Sequence, residues 1–439
     1  MEFPPEGYMP AESALPNVEI YKPIPPEEEE RPELVDFTCP NCNATTAYSI
    51  AAGGLECSNC GYYEPPEHTA VGKQAEEFEF KVEVIERAAH GWGEKRTDLT
   101  CSSCQAVTTL PHGSLTHTCP FCGSSAVVQT EAKQDALRPR FLIPFSVEEA
   151  ELYPKVEAWL GSSWMLPGKL QNAAKMGLFN RIYLPFWTFD SRASAAWRAE
   201  VGYVETERYF DDGEWKTRTV TKWRWETGSV QRTFDDYLIT GTTHVTQAIL
   251  ETIRDFDMSK LVPYEPKYLA GINAQAYEIA LEQAWEAGRT AMREATRKAC
   301  EQDALAGEAD KVRNMTVTLD FSGESWRYVL LPVYLATYNY NDETYQIVVN
   351  GQTATIGGTR PVDWAKVIAV SAVLFVPAFL LGVIGLLLPP LLCVAGLAFM
   401  AAIAGVVALL STAWSIIDPA REKKNMLEGM NVNDVFKQL

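Results

Sequence analysis

The sequence predicts a multidomain chain: two tandem four-Cys zinc ribbons, a central α+β domain with an antiparallel sheet, and a C-terminal two-helix transmembrane hairpin. Three observations predict it. CxxC pairs recur four times before residue 123. Strand-like alternation and one long amphipathic helix fill the middle of the chain. No charged residue falls between Val367 and Ile417.

Cys39 and Cys42 form one CxxC pair and Cys57 and Cys60 the next. Cys101 and Cys104 are followed by Cys119 and Cys122 in the same way, with 14 residues between the pairs of each cluster. All four cysteines recur at an offset of 62 residues, which marks an internal duplication. Four thiolates at these spacings suit tetrahedral Zn2+, each CxxC forming a knuckle and the residues between them a hairpin. Gly61 and Gly123 follow the last cysteine of each set, where a knuckle favours a positive φ, and Asn43 tolerates the same conformation. Disulfides and an iron–sulfur cluster are the alternatives. The first suits an oxidising compartment, and the second usually has other spacings. Four protein ligands close the coordination sphere, so two structural ions are expected, with no catalytic residue and no other cofactor. His112 and His117 read as surface residues of the second ribbon's loop, and Cys300 and Cys393 as inert thiols.

The uncharged stretch is long enough for two spans of roughly 20 residues each. Pro389 and Pro390 break it into Val367 to Leu388 and Leu391 to Ile417. Arg360 and Lys366 precede it and Arg421, Lys423 and Lys424 follow it, so the basic residues put both ends on the cytoplasmic side. Trp364 and Trp414 fall where amphipathic rings favour the interface. Gly382, Gly385, Gly396 and Gly405 let the helices approach closely. The hydroxyls Ser371, Ser411, Thr412 and Ser415 lie near the ends, which suits an anchor better than a pore. The expected location is therefore the inner, cytoplasmic membrane, crossed twice, with the N-terminal domains and the C-terminus in the cytoplasm.

A formal charge of −19 means an acidic surface that repels phosphate backbones. From Cys39 to Asp135 there are 12 Asp and Glu against 6 Lys and Arg, and each four-thiolate zinc site adds negative charge. Ribbons of this composition favour protein partners over nucleic acid. No basic and apolar N-terminal leader is present. Residues 1–36, with Glu27 to Glu30, read as an acidic disordered tail. The ribbons are expected at 37–66 and 98–130, and the connection at 67–97 carries a strand with Phe78, Phe80, Val82 and Val84 on one face that joins them into a rod. Residues 418–439 form a cytoplasmic tail.

The α+β domain is expected over 137–360. Phe145 to Met176 reads as helix, Ile182 to Trp187 and the segments near Trp197, Tyr203 and Tyr209 as strands, and Asp211-Asp212-Gly213 as a hairpin turn. Lys222 to Trp225 and Leu238 to Thr243 read as further strands. A helix over 273–306 and strands at Met315 to Asp320, Trp326 to Tyr340, Thr344 to Val349 and Thr353 to Ile356 complete it. Leu331-Pro332-Val333-Tyr334 echoes Leu184-Pro185-Phe186-Trp187, a hint of two related halves. No nucleotide-binding loop, nucleophile elbow or metalloprotease helix is found. His244 reads as a structural hydrogen-bonding residue and Asp235-Asp236 as a solvated turn.

The CPNC and CPFC ribbons, the YLPFWTFD segment, the LLPVYLATYNYNDETYQIVVNGQT segment and the terminal hydrophobic stretch together resemble the bacterial TFIIB-type zinc-ribbon membrane proteins, also called primosomal-helicase-like. The helicase label implies ATPase motifs, which this chain lacks. Some members of that group resemble membrane partners of phage-shock-like and flotillin-like proteins. The expected function is a non-enzymatic adaptor or scaffold at the cytoplasmic membrane face, in membrane-stress assemblies, with homo-oligomerisation of the hairpin left open. A nucleic-acid-binding or replication-associated protein is the alternative. A hydrolase or transferase using a pocket around His244 or Asp235-Asp236 is a third.

Overall fold

The computed structural model describes residues 37–66, 70–72, 78–79, 96–111, 118–131, 137–168, 170, 179–211, 214–245, 247–307, 309–341, 343–387 and 392–417, with pieces at 8–11 and 20–23. Three long strands organise the central domain. β1 (Asn180–Asp211), β2 (Glu214–Thr240) and β3 (Lys311–Tyr340) lie antiparallel in the order β2-β1-β3, and β4 (Glu343–Asn350) extends the sheet from the end of β3. At about 3.3 Å per residue, the 32 residues of β1 span on the order of 100 Å.

The short strands expected around Tyr183, Trp197, Tyr203 and Tyr209 are therefore one element. Its pairing slips at bulges between Phe189 and Ser191 and between Arg198 and Glu200, which bend a strand without ending it. The expected strands on either side of Tyr237 likewise merge into β2, and those around Asp320 and Trp326 into β3. β1 ends at Asp211 and β2 begins at Glu214, as the hairpin reading requires; Asp212 and Gly213 lie outside the described residues. The two echoing segments face one another. Leu184 pairs with Leu331, Pro185 lies opposite Leu330 and Pro332 opposite Tyr183, so the halves meet about a local twofold.

Along β1, Ala193, Ala195, Trp197, Ala199 and Val201 are buried while Arg192, Ser194, Ala196 and Arg198 are exposed. The buried row lies under a helix. α1 (Glu149–Leu160) precedes the sheet in the chain, and α2 (Leu281–Ala304) crosses one face of it with Ala284, Trp285, Gly288, Met292 and Cys300 inward. Trp197 donates its indole N–H to Asp303 at 2.8 Å, and Gly228 makes room for the ring: a Cβ there would come within 2.6 Å of it. The helix expected from residue 273 starts only at Leu281, because Asn273–Ala274 pairs in parallel with β1. That expected over 145–176 is helical only over α1, and 171–178 lie outside the described residues.

Two other expectations change. Phe78–Glu79 pairs with Trp326 and Ser325 of β3, so this part of the connection joins the central sheet rather than bridging the ribbons as a rod; Phe80, Val82 and Val84 lie outside the described residues. In the acidic tail, Tyr8–Ala11 pairs with Ile20–Pro23 as a small antiparallel ribbon, where no structure was expected.

The C-terminal segment forms two apolar helices, α3 (Trp364–Leu387) and α4 (Leu392–Ile417), which pack together with Phe375 5.5 Å from Phe399, ring centre to ring centre. Gly396–Trp414 in α4 is long and apolar enough to cross a membrane. Among the described residues the apolar stretch of α3, Trp364–Leu380, is shorter, and Pro389 and Pro390 fall outside them. The domain-side ends of the pair are set in the core, where Val367, Ala413 and Ile416 are buried with Leu160, Met165 and Leu166. Arg360 donates to the Trp159 carbonyl and to Ser162, and Lys366 to the Leu166 carbonyl, so two of the flanking cations tie the helices to the domain.

Candidate metal centres

Each four-cysteine set closes into a cluster. Within each, the sulfurs all lie within 4.8 Å of one another, with Cys39 Sγ 3.5 Å from Cys60, Cys42 3.5 Å from Cys57, Cys101 3.6 Å from Cys122, and Cys104 3.7 Å from Cys119. A tetrahedron with metal–sulfur bonds of about 2.3 Å has edges of about 3.8 Å. The four sulfurs therefore match the size of a zinc-type site in both ribbons.

The knuckles show how the sequence builds this. The Asn43 and Gly61 amides donate to the Cys39 and Cys57 carbonyls, and the Cys39 and Cys57 amides donate to the Ala44 and Tyr62 carbonyls. The same four bonds recur at the 62-residue offset, from Gln105 and Gly123 and from Cys101 and Cys119. Asn43, Gly61, Gln105 and Gly123 all have φ between 62° and 73°. Gln105 is the member the sequence did not disclose, since glutamine carries no preference for that conformation.

The donor set also has the right chemistry. Hydrogen bonds from Asn59 and the Ala44 amide hold the Cys42 thiol down to about 6. Although the Tyr62 amide favours its thiolate, Cys60 is pushed up to about 12 by its neighbouring sulfurs and burial, and burial lifts Cys104 to about 11. Four sulfurs this close favour full ionisation only with a cation among them. The four sulfurs of each set lie within 4.8 Å of one another, and four sulfurs saturate a tetrahedral ion without a position for substrate.

Both ribbons are built onto the central domain. In the first, Tyr48 donates its amide to the Ala270 carbonyl at 3.0 Å and sets its ring, tilted, 5.3 Å from that of Tyr268, and Glu64 pairs with Lys267 at 2.6 Å. In the second, Arg96–Cys101 pairs with Val107–Pro111 and Val127–Glu131, and Thr109 pairs with Ala274 of the central sheet. The knuckle residue Phe121 rests 5.3 Å from His244, and Gln346 donates to its carbonyl.

The other candidates resolve into structural roles. His244 Nε2 lies 2.8 Å from Glu278, and Thr243 donates to the same carboxylate through its amide and hydroxyl. Burial would raise the Glu278 carboxyl, but the bonds from His244 and Thr243 outweigh it and hold the group below its usual value. Asp235 is exposed, whereas Asp236 is not on a solvated turn: it sits within β2 with φ 54°, 3.1 Å from the buried Arg327 guanidinium. Arg327, 1 % exposed, also reaches Asp190 at 3.7 Å, and the Asp236 amide donates to Asp190 at 2.7 Å. The cation beside Asp190 of β1 and Asp236 of β2 is thus an arginine from β3. Its signal in sequence was too weak to read, because Asp236 and Arg327 are joined only by the sheet. Cys300 is buried on the sheet-facing side of α2, and His112 and His117 lie outside the described residues.

No family model matches the chain, and no solved structure matches it. It is similar to uncharacterized protein YdjG of Bacillus subtilis (strain 168), 22% identical over 342 residues that cover 76% of this chain and 93% of that protein.

Proposed function

We propose that this chain is a membrane-anchored adaptor whose two zinc-stabilised ribbons and central domain bind protein partners at the cytoplasmic face of the inner membrane. The observation that carries the reading is the closed four-sulfur geometry of both ribbons, each joined to a domain that is itself clamped to an apolar helix pair. Saturated sites hold surface shape and leave no open coordination position for chemistry. The helix pair supports anchoring because its exposed faces are aliphatic and Trp364 and Trp414 lie at its domain-side ends. A two-pass hairpin with both ends cytoplasmic follows if α3 crosses with α4. Phage-shock-like or flotillin-like membrane proteins are the partner class that the resemblance implies.

The test is purification of the full-length protein in mild detergent with mass spectrometry of what comes with it, beside a Cys101→Ser/Cys104→Ser variant. Specific membrane-associated proteins, lost from the variant, are the expected result. Recovery of nucleic acid and replication proteins, or of no partner from either protein, overturns the adaptor.

A further inference from the structure

The two cysteine clusters are copies of one motif, so any difference between them comes from what surrounds each. The last CxxC of the second ribbon is covered. Cys119, Pro120 and Phe121 are buried and Cys122 is half-buried. Phe121 rests against His244, Gln346 donates to its carbonyl, and a Cβ added to Gly123 would come within 2.9 Å of Thr337 Oγ1. Cys101, Cys119 and Phe121 share an apolar cluster with Ile182, Leu184 and Val333 of the central sheet, and Cys104 and Cys122 pack against it.

The equivalent knuckle of the first ribbon, 62 residues earlier, is bare. Ser58, Asn59, Cys60 and Gly61 are all exposed, and a Cβ added to Gly61 would meet nothing within 4 Å. Cys60 is thus open to solvent, whereas the most open cysteines of the second set, Cys104 and Cys122, are half-buried. None of the first four cysteines belongs to an apolar cluster of the described residues. This ribbon meets the domain through its strands, at Tyr48 and Glu64, and not through its metal site.

Thiolate chemistry follows access: an open cysteinate reacts, and one packed in a core is inert. The open sulfur also has a partner at hand, since Cys60 Sγ lies 3.5 Å from Cys39 Sγ on the other knuckle of the same ribbon. Joining the two takes two of four ligands from an ion held there.

We propose that the first ribbon is a zinc site released by oxidation and the second a permanent one, with Cys60 the point at which a peroxide enters. The proposal rests on the zinc reading of the clusters. The Cys60 thiolate attacks one peroxide oxygen, the O–O bond breaks, hydroxide leaves with its electron pair, and Cys60 becomes a sulfenic acid. The Cys39 thiolate then attacks the Cys60 sulfur, the S–O bond breaks and a second hydroxide leaves. Two protons turn the hydroxides into water. The sum is two cysteinates, one hydrogen peroxide and two protons giving one disulfide and two waters, with the sulfurs oxidised and the peroxide reduced. A dithiol reverses it by taking over the disulfide and returning both cysteines to zinc.

The consequence is conformational. Apart from its cysteines the first ribbon buries two hydrophobic side chains, Tyr48 and Leu55, so its fold depends on the ion. Once zinc leaves, the ribbon unfolds and uncovers Tyr268, Ala270 and Lys267 on the domain, while the second ribbon stays in the sheet.

The experiment treats the full-length protein in mild detergent, its zinc content known from elemental analysis, with hydrogen peroxide. A chromogenic chelator follows zinc release, and alkylation with peptide mass spectrometry follows the thiols. One zinc is expected to leave about tenfold faster than the other, together with a Cys39–Cys60 disulfide, while Cys101, Cys104, Cys119 and Cys122 remain alkylatable after denaturation. Hydrogen exchange is expected to rise over 47–56 and 268–270, to stay low over 180–183 and 273–274, and to return on adding dithiothreitol with zinc. Phe121→Ala uncovers the second knuckle and is expected to bring its zinc to within about twofold of the first, with 180–183 still protected before oxidation. Two ions leaving at one rate, a first disulfide in the second set, or no release of either overturns the proposal. A second zinc that stays as slow in folded Phe121→Ala does so as well, because cover would then not set the difference. A protein purified without zinc overturns the metal reading, and this inference with it.

Discussion

His244 Nε2 lies 2.8 Å from Glu278 Oε1, and the imidazole of this pair is the platform on which Phe121 of the second ribbon rests. The carboxylate is held below its usual value, so its contribution to stability is present above the ordinary carboxylate range and is lost as pH falls through the depressed value. Glu278→Gln removes that contribution. The stability gap between the two proteins is expected to be widest near neutrality and to close in acid, read by denaturant titration across that range with hydrogen exchange over 119–124. A gap that does not change with pH contradicts the assignment.

Two metals per chain are expected, one for each cluster, by elemental analysis of the purified protein. Cys39→Ser/Cys42→Ser and Cys101→Ser/Cys104→Ser should each lower the content by one. The consequences differ. The first ribbon is attached outside the central sheet, by Tyr48 against Tyr268 and Ala270 and by Glu64 against Lys267, whereas the second shares the central sheet through Thr109 and Ala274. Loss of the second metal is therefore expected to raise hydrogen exchange into 273–274 and 180–183, and loss of the first to leave those amides protected.

Arg327→Met leaves Asp190 and Asp236 facing one another in the core without their cation. Breaking a buried ion pair costs about 3–5 kcal/mol. Equilibrium denaturation is expected to show a loss of that order, and adding Asp190→Asn with Asp236→Asn should return most of it. A variant as stable as the parent would show that the triad carries no such weight.

Gly228→Val drives a side chain into the indole of Trp197 and breaks its hydrogen bond to Asp303. Overpacking of this kind costs about 1–3 kcal/mol. Loosening is expected along α2's last turns, seen as faster exchange over 296–304, while both metals stay bound.

Deleting 364–417 should release the protein from the membrane fraction, because this removes α3 and the one stretch that, among the described residues, meets the length and apolarity of a span. The same deletion takes Val367, Ala413 and Ile416 out of the core, so the released fragment is also expected to be less stable. A fragment that still sediments with membranes would place the anchor elsewhere.

The metal ligands were legible because their code is local: CxxC spacing and the 62-residue repeat put four sulfurs together whatever the rest of the chain does. The antiparallel sheet, the long amphipathic helix and the apolar character of the C-terminal helices were legible for a similar reason, since each leaves a period of two, of 3.6, or an uninterrupted apolar run. Strand lengths were not. A bulge and a strand end look alike in one dimension, and only the pairing of Ser191 with Phe234 and of Arg192 with Ser322 shows that the chain goes on.

Sequence by itself determined two cysteine ribbons, the class of the central domain and an apolar terminus, all of which follow from neighbours within one element. Tertiary structure alone decided that the ribbons dock on the domain, that Asp236 of β2 pairs with Arg327 of β3 from 91 positions away and across the intervening β1, and that one face of the long ribbon stays open. Contacts between elements depend on register and on which strand lies next to which, and no local period records either.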